Sequence, residues 1–216
     1  MSSDSYKKYV EMITDKNVII VGPASCLIED CKNINVDDYD LVCRLNYHWK
    51  KLPSEDVVGK RTDIIYHCLN SNQYTVDDLR LWKNDNLTVL SHHDMDHHVD
   101  HKKTKIYQNR NSDIEFKILC VPHSLFVKFK KEFSSNPNTG TMAIIHLLSM
   151  PIRSLSVVGF DFYSSLYWFD GNPSLLNIIH GMPHKPRIQF ANFKKYIKDF
   201  DNFVPIGRLK EMLEMQ

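Results

Sequence analysis

The feature that most constrains this chain is a series of short, predominantly apolar runs, at 18–21, 41–45, 64–67, 87–90, 116–121 and 155–158, set between segments of helical periodicity. Runs of this length without an alternating polar face suit strands buried on both sides, as in a parallel sheet covered by helices. The segments 75–82, 124–133, 139–150 and 184–200 repeat apolar residues at helical spacing, as in Ile144, Leu147 and Leu148, or Phe190, Phe193 and Ile197. Alternation of the two patterns predicts an α/β fold, a doubly wound, Rossmann-like domain with a mostly parallel sheet.

With 216 residues and 43% hydrophobic content, the chain suffices for one core and is short for two, so residues 1–216 read as a single domain. Lys and Arg total 27 against 26 Asp and Glu, which leaves no broad basic field for nucleic acid or an anionic membrane surface. The five cysteines form no C-x-x-C pair, and their odd number argues against a disulfide framework. Reduced thiols are the expectation. The polar, helix-patterned start at 1–17 lacks the apolar run of a signal peptide, and no window reaches the roughly 18 apolar residues that a membrane span requires. A soluble, cytoplasmic protein is therefore expected. Residues 92–113 are markedly polar and read as a long loop or insertion.

In a sheet of this kind, ligands sit beyond the carboxyl ends of the strands. Two stretches at such ends stand out: Val18-Ile-Ile-Val-Gly-Pro-Ala-Ser-Cys-Leu27, and Asn136-Pro-Asn-Thr-Gly-Thr141 running on to Ser156-Val-Val-Gly-Phe-Asp161. Gly22, Ala24 and Ser25 form a strand-to-helix turn whose amides suit an anion, with Pro23 stiffening it but donating nothing. A tight turn without a ligand is the plainer alternative. Asn46, just past a strand, offers its amide to a ribose or base, or caps a turn. Asn138, Thr139 and Gly140 open a helix, where an N-cap role and an anion site at the positive end of the dipole are compatible. Gly159 lets a ligand approach the backbone, or is an ordinary turn glycine. Arg44, inside a strand, is expected to be buried and paired with Asp63 or Asp40.

With these residues placed, the chain resembles the sialyltransferases defined by sialylmotifs, glycosyltransferase family 29. The stretch from Val18 resembles the large motif, through Val36-Asp-Asp-Tyr-Asp-Leu-Val42, Arg44-Leu-Asn46 and Val58-Gly-Lys-Arg-Thr-Asp63. Asn136-Pro-Asn-Thr-Gly140 through Val158-Gly-Phe160 resembles the small motif, and His184-Lys-Pro-Arg-Ile-Gln189 the very small motif. The chain departs from the animal pattern in having Pro23 where Asn is usual and Gln189 where an acidic residue is usual. It also lacks a convincing third motif, although Tyr163, Tyr167, Trp168 and His180 lie in the appropriate gap. No cysteine follows Cys120, so the disulfide that joins the large and small motifs of the animal enzymes has no counterpart. That fits a soluble microbial or viral type of member. The resemblance implies inverting transfer of sialic acid, or a related acidic keto sugar, from its CMP ester to a glycan hydroxyl, with no metal and no cofactor. It makes Asn46 a donor-binding residue. His184 is the expected general base, at a helix start where the dipole favours the neutral imidazole, with His180 as its rival. Tyr163, Tyr167 and Trp168 are expected to stack on acceptor sugars.

One segment points elsewhere. His92-His-Asp-Met-Asp-His-His-Val-Asp-His101 mixes imidazoles with carboxylates, and Asp94-Met-Asp96 copies the Asp-x-Asp that holds a divalent ion under a nucleotide diphosphate. A metal-dependent nucleotide-diphosphate-sugar transferase is thus one alternative, and a catalytically inactive cytidine-nucleotide-binding module another. Gly22 begins no G-x-G-x-x-G series, which disfavours a dinucleotide-dependent oxidoreductase.

Overall fold

The computed structural model describes residues 3–45, 55–67, 88–91, 117–133, 137–164 and 185–215. Its framework is a seven-stranded sheet. In chain order the strands are β1 (Asn17–Val21), β2 (Leu41–Leu45), β3 (Ile64–His67), β4 (Thr88–Ser91), β5 (Lys117–Cys120), β6 (Ser154–Val158) and β7 (Phe203–Pro205). Their order in space is β5-β4-β3-β2-β1-β6-β7, and every neighbouring pair runs parallel. Strands are added outward from β1 as far as β5. The chain then returns to the other side of β1, so the order reverses between β1 and β6. Such a reversal diverges the connecting loops and opens a crevice at the carboxyl ends of the two strands.

The helices are α1 (Ser3–Ile13), α2 (Leu27–Cys31), α3 (Glu55–Val58), α4 (His123–Glu132), α5 (Thr139–Leu148), α6 (Pro186–Tyr196) and α7 (Arg208–Glu214). The two faces of the sheet separate by alternate residues, as the pleat requires. Val18 and Ile20 of β1, Cys43 of β2 and Tyr66 of β3 pack into the larger core with α1, α4, α5 and α6. Ile19, Val21, Val42 and Ile65 face the smaller one, formed with Leu27, Cys31 and Val58 of α2 and α3. Burial on both faces explains why the strands read as unbroken apolar runs.

The expected strands and helices fall within one or two residues of those observed, apart from 184–200 and from 75–82, which lies outside the described residues. Three corrections follow. The helix expected over 184–200 ends at Tyr196 and tightens into a 3-10 turn at Ile197–Asp199. Edge strand β7 and helix α7 were not anticipated, because Phe203-Val-Pro205 is short, partly exposed and closed by proline, below the reach of a periodicity argument. Arg44 is fully buried as expected, and what the expectation omitted is that backbone carbonyls take up its guanidinium. Nη2 donates to Val58 O (2.9 Å) and Gly59 O (3.1 Å), and Nε to Thr62 Oγ1 (2.9 Å). Asp63 instead accepts from Arg61 Nε (2.9 Å) and the Val42 amide (2.8 Å).

Four of the cysteines, Cys26, Cys31, Cys43 and Cys120, are free thiols. Among the described residues no helix is long and apolar enough to cross a membrane.

A polar group sits inside the larger core. His146 of α5 is fully buried, with Nδ1 2.5 Å from Tyr66 Oη and Nε2 2.8 Å from Tyr6 Oη. Its ring stacks on Tyr9. Burial disfavours the imidazolium and pushes its pKa down to about 3 from 6.5. The unfolded chain therefore binds the proton that the folded chain refuses. The stability due to neutral His146 is complete above about pH 6.5 and drains away as the pH falls toward 3, at up to about 1.4 kcal/mol per unit. Urea unfolding between pH 7 and 5 should show this slope in the parent and lack it in His146→Gln.

Candidate active site

The crevice at the β1/β6 reversal is built by glycines in close approach. Gly22 and Gly159 follow the two strands, and Gly159 has φ +67°, a conformation L side chains rarely adopt. A Cβ on Gly159 would meet Gly22 O at 2.6 Å and Leu27 Cδ1 at 2.9 Å. The turn after β1 continues the pairing: Gly22 N–H donates to Val158 O (2.9 Å) and Ala24 N–H to Gly159 O (3.0 Å). This corrects the expectation that these amides receive an anion, since both are already committed to the neighbouring strand. Ser25 is exposed at the rim and Pro23 half-buried.

The start of α5 closes one side. Asn138 is its N-cap, Oδ1 accepting from the Thr141 amide at 2.7 Å, and the first helical bond runs from Met142 N–H to Asn138 O. Thr139 and Gly140 form the first turn, whose amides precede that bond and carry the positive end of the dipole. Gly140 has a packing reason to be glycine. A Cβ there would lie 2.6 Å from Phe160 Cε1, and the same ring abuts Gly22. Phe160, directly after Gly159, is thus the wedge on which both glycines sit.

The start of α6 meets the start of α5 through Gln189. This side chain is fully buried, and its Oε1 accepts from Thr141 Oγ1 (3.2 Å) and, at the limit of hydrogen bonding, from the Asn138 amide (3.5 Å). Pro186 occupies the first turn of α6, where its missing N–H costs nothing. Lys185 precedes it in a left-handed conformation, its carbonyl accepting from the Gln189 amide at 3.0 Å.

Beyond Phe160 the backbone is strained. Phe162 and Tyr163 are consecutive non-glycine residues with φ of 51° and 66°. The turn is held by Asp161, whose Oδ1 accepts from the Tyr163 amide (3.0 Å) and whose carbonyl accepts from Ser164. Phe162 packs against Phe190 and Phe193 of α6, ring centroids 5.0 and 5.1 Å away. Tyr163 is left half-buried at the rim. Cys26 is also half-buried: burial first, then the nearby Asp30 and Asp161 carboxylates, push its thiol pKa up, which disfavours the thiolate.

Structures of other proteins identify the architecture. A mammalian sialyltransferase in complex with Gal-beta-1-3GalNAc-ortho-nitrophenol is similar, with a TM-score of 0.56 at 15% identity, over 95% of this chain and 86% of that one. The sialyltransferase CstII from Campylobacter jejuni, in complex with cytidine-5'-monophosphate, gives 0.55 at 17% identity, over 89% and 80%. This is the sialyltransferase fold. A complex of CST-II with a trisaccharide acceptor and CMP gives 0.52 at 17% identity, over 88% and 81%. No family model and no curated protein matches the chain.

Within the sialyltransferase fold, Gly22, Ala24 and Ser25 lie in the turn after β1, Gly159 and Tyr163 in the segment after β6, and Asn138, Thr139 and Gly140 at the start of α5, which meets that segment at Phe160. Asn46, Tyr167, Trp168, His180 and His184, together with Asp94 and Asp96, lie outside the described residues. Among the described residues no three His, Cys, Asp or Glu side chains converge as a metal site. Sequence reasoning missed Phe160, Asp30 and the linking role of Gln189. Their only sequence signal was position inside the motifs.

Proposed function

We propose that this protein is a sialyltransferase-type glycosyltransferase, moving sialic acid or a related acidic keto sugar from its CMP ester to a glycan hydroxyl with inversion. The observation that carries this reading is the convergence of the β1 and β6 carboxyl ends with the N-termini of α5 and α6 around one crevice. In this reading the first turn of α5, at Thr139 and Gly140, faces the donor's phosphate or carboxylate. As the ester bond breaks, charge grows on the phosphate oxygen, and a fixed dipole costs nothing to reorient at that moment.

The Gly22 and Gly159 turns pack against each other and set the ends of β1 and β6, where ribose and base are proposed to lie, and Asn46, one residue past β2, is proposed to supply an amide to them. His184 adjoins Lys185 and is the proposed general base, taking the acceptor's proton as its oxygen attacks the anomeric carbon opposite the phosphate. Tyr163, Tyr167 and Trp168 are proposed to contact the acceptor. No metal or cofactor is required, because a monophosphate leaving group gives a divalent ion no diphosphate to bridge.

The test is sugar transfer from CMP-activated acidic sugars to a glycan panel, run with and without excess chelator. Turnover unchanged by chelator is expected. Turnover from uridine-diphosphate sugars that chelator abolishes would move the chemistry to Asp94 and Asp96, and cytidine nucleotide binding without any turnover would leave an inactive module.

A further inference from the structure

The carboxylate of Asp30 is 8% exposed, sits on α2 and holds two distant parts of the chain at once. Its Oδ2 accepts from the Gly159 amide at 3.0 Å and its Oδ1 from the Arg208 amide at 2.9 Å, the first residue of α7. Gly207, the N-cap of α7, lies so close that a Cβ there would overlap Oδ1 of Asp30. Thus one buried anion ties the turn after β6 to the helix following edge strand β7. Both bonds are charge-assisted, the stronger kind of hydrogen bond.

Gly159 gains a specific benefit. It sits at φ +67°, glycine has the widest conformational choice of any residue, and its carbonyl must stay aligned to accept from Ala24. A fixed amide on one side and a fixed carbonyl on the other remove that freedom at the floor of the crevice.

We infer that Asp30 is a positioning residue for nucleotide binding, clamping the Gly159 turn and the start of α7 so that the β1/β6 crevice is pre-formed. The inference rests on the nucleotide reading proposed above. Pre-forming a site raises affinity by removing the ordering cost from binding. Asp30 touches no reacting atom in this account, so its loss should weaken donor binding rather than slow the chemical step.

Asp30→Asn keeps the shape and replaces one accepting oxygen by an NH2 group. Gly207→Ala presses on the same carboxylate from outside α2. Asp15→Asn is the control: Asp15 pairs with Arg153 (2.8 Å) beside the amino ends of the same two strands, and both are exposed. Amide hydrogen exchange and calorimetry with cytidine monophosphate are the readouts. In Asp30→Asn and Gly207→Ala, exchange at Gly159 and Arg208 should rise at least about ten-fold, with Ile20 and Val157 unchanged, and Kd should rise about ten-fold, the loss of one hydrogen bond to a charged group. KM for a CMP-sugar should follow Kd with kcat within about two-fold, a split that global loosening does not produce. Asp15→Asn should change none of these.

Unchanged exchange at Gly159 and Arg208, or faster exchange there with Kd within two-fold of the parent, would overturn the inference. A parent protein that binds no cytidine nucleotide would instead contradict the proposed function, and the exchange data alone would still show whether the clamp exists.

Discussion

Replacing His184 with alanine should lower the rate of sugar transfer by about 10²–10⁴-fold while leaving the Kd for cytidine monophosphate within about three-fold of the parent. The two readouts separate because the imidazole is proposed to act on the acceptor hydroxyl, and the nucleotide is proposed to bind beyond the ends of β1 and β6 and at the start of α5. A base in this position must be neutral before it accepts a proton. In the proposed role, the dipole at the start of α6, opened by Pro186, would favour that form. Measured side by side, kcat and Kd for His184→Ala and His180→Ala discriminate the two histidines. A full-rate His184→Ala, or one that loses nucleotide binding in proportion to rate, would remove His184 from the role of base.

The second large effect concerns stability. Arg44→Leu should destabilise the fold by about 3–5 kcal/mol, because it strands carbonyls that have no water to turn to. The buried guanidinium gathers Val58, Gly59, Arg61 and Thr62 around the end of β2, and burial lowers its pKa only to about 10, so it stays charged at neutral pH. For a chain of this size each kcal/mol moves the melting temperature by about 2–4 °C, so a fall of roughly 6–20 °C is expected. Thermal unfolding monitored by circular dichroism checks it. A shift under 2 °C would mean that the carbonyls find other donors. Nucleotide affinity should fall as well, since Leu45, the next residue along β2, lies against Gly140.

These contacts also explain what the sequence could and could not disclose. The strands were legible because a sheet buried on both faces leaves no polar alternation, and Ile19 and Ile20 point into different cores yet look alike in the chain. The α5 start was legible because Asn138 and Thr139 are cap-forming residues, and Asn138 caps it. The apolar runs placed Gly22 and Gly159 at strand ends. They did not disclose that the two glycines face each other, which follows from β1 pairing with β6 across the whole intervening chain.

Much of the large-motif pattern turns out to be internal scaffolding. Asp37 accepts from the Lys60 and Arg61 amides, Arg61 reaches Asp63 and the Tyr39 and Asp40 carbonyls, and Arg44 holds the 58–62 backbone. A charge in a strand was expected to seek a carboxylate; the expectation did not include the several carbonyls that a guanidinium with its fork of donors can satisfy at once. Asp30 and Gln189 were illegible for a different reason. Each makes its decisive contact with a residue far off in sequence, Gly159 and Thr141 respectively, and no local pattern encodes such a pairing. His146 was hidden within an apolar helix, where only the positions of Tyr6 and Tyr66 show why an imidazole belongs in the core.

The most direct test of the account is calorimetric titration of the metal-free protein with cytidine monophosphate, with uridine diphosphate and NAD as controls. Selective, metal-independent binding of the cytidine nucleotide is predicted. No binding, or binding of uridine diphosphate only after manganese is restored, would contradict it.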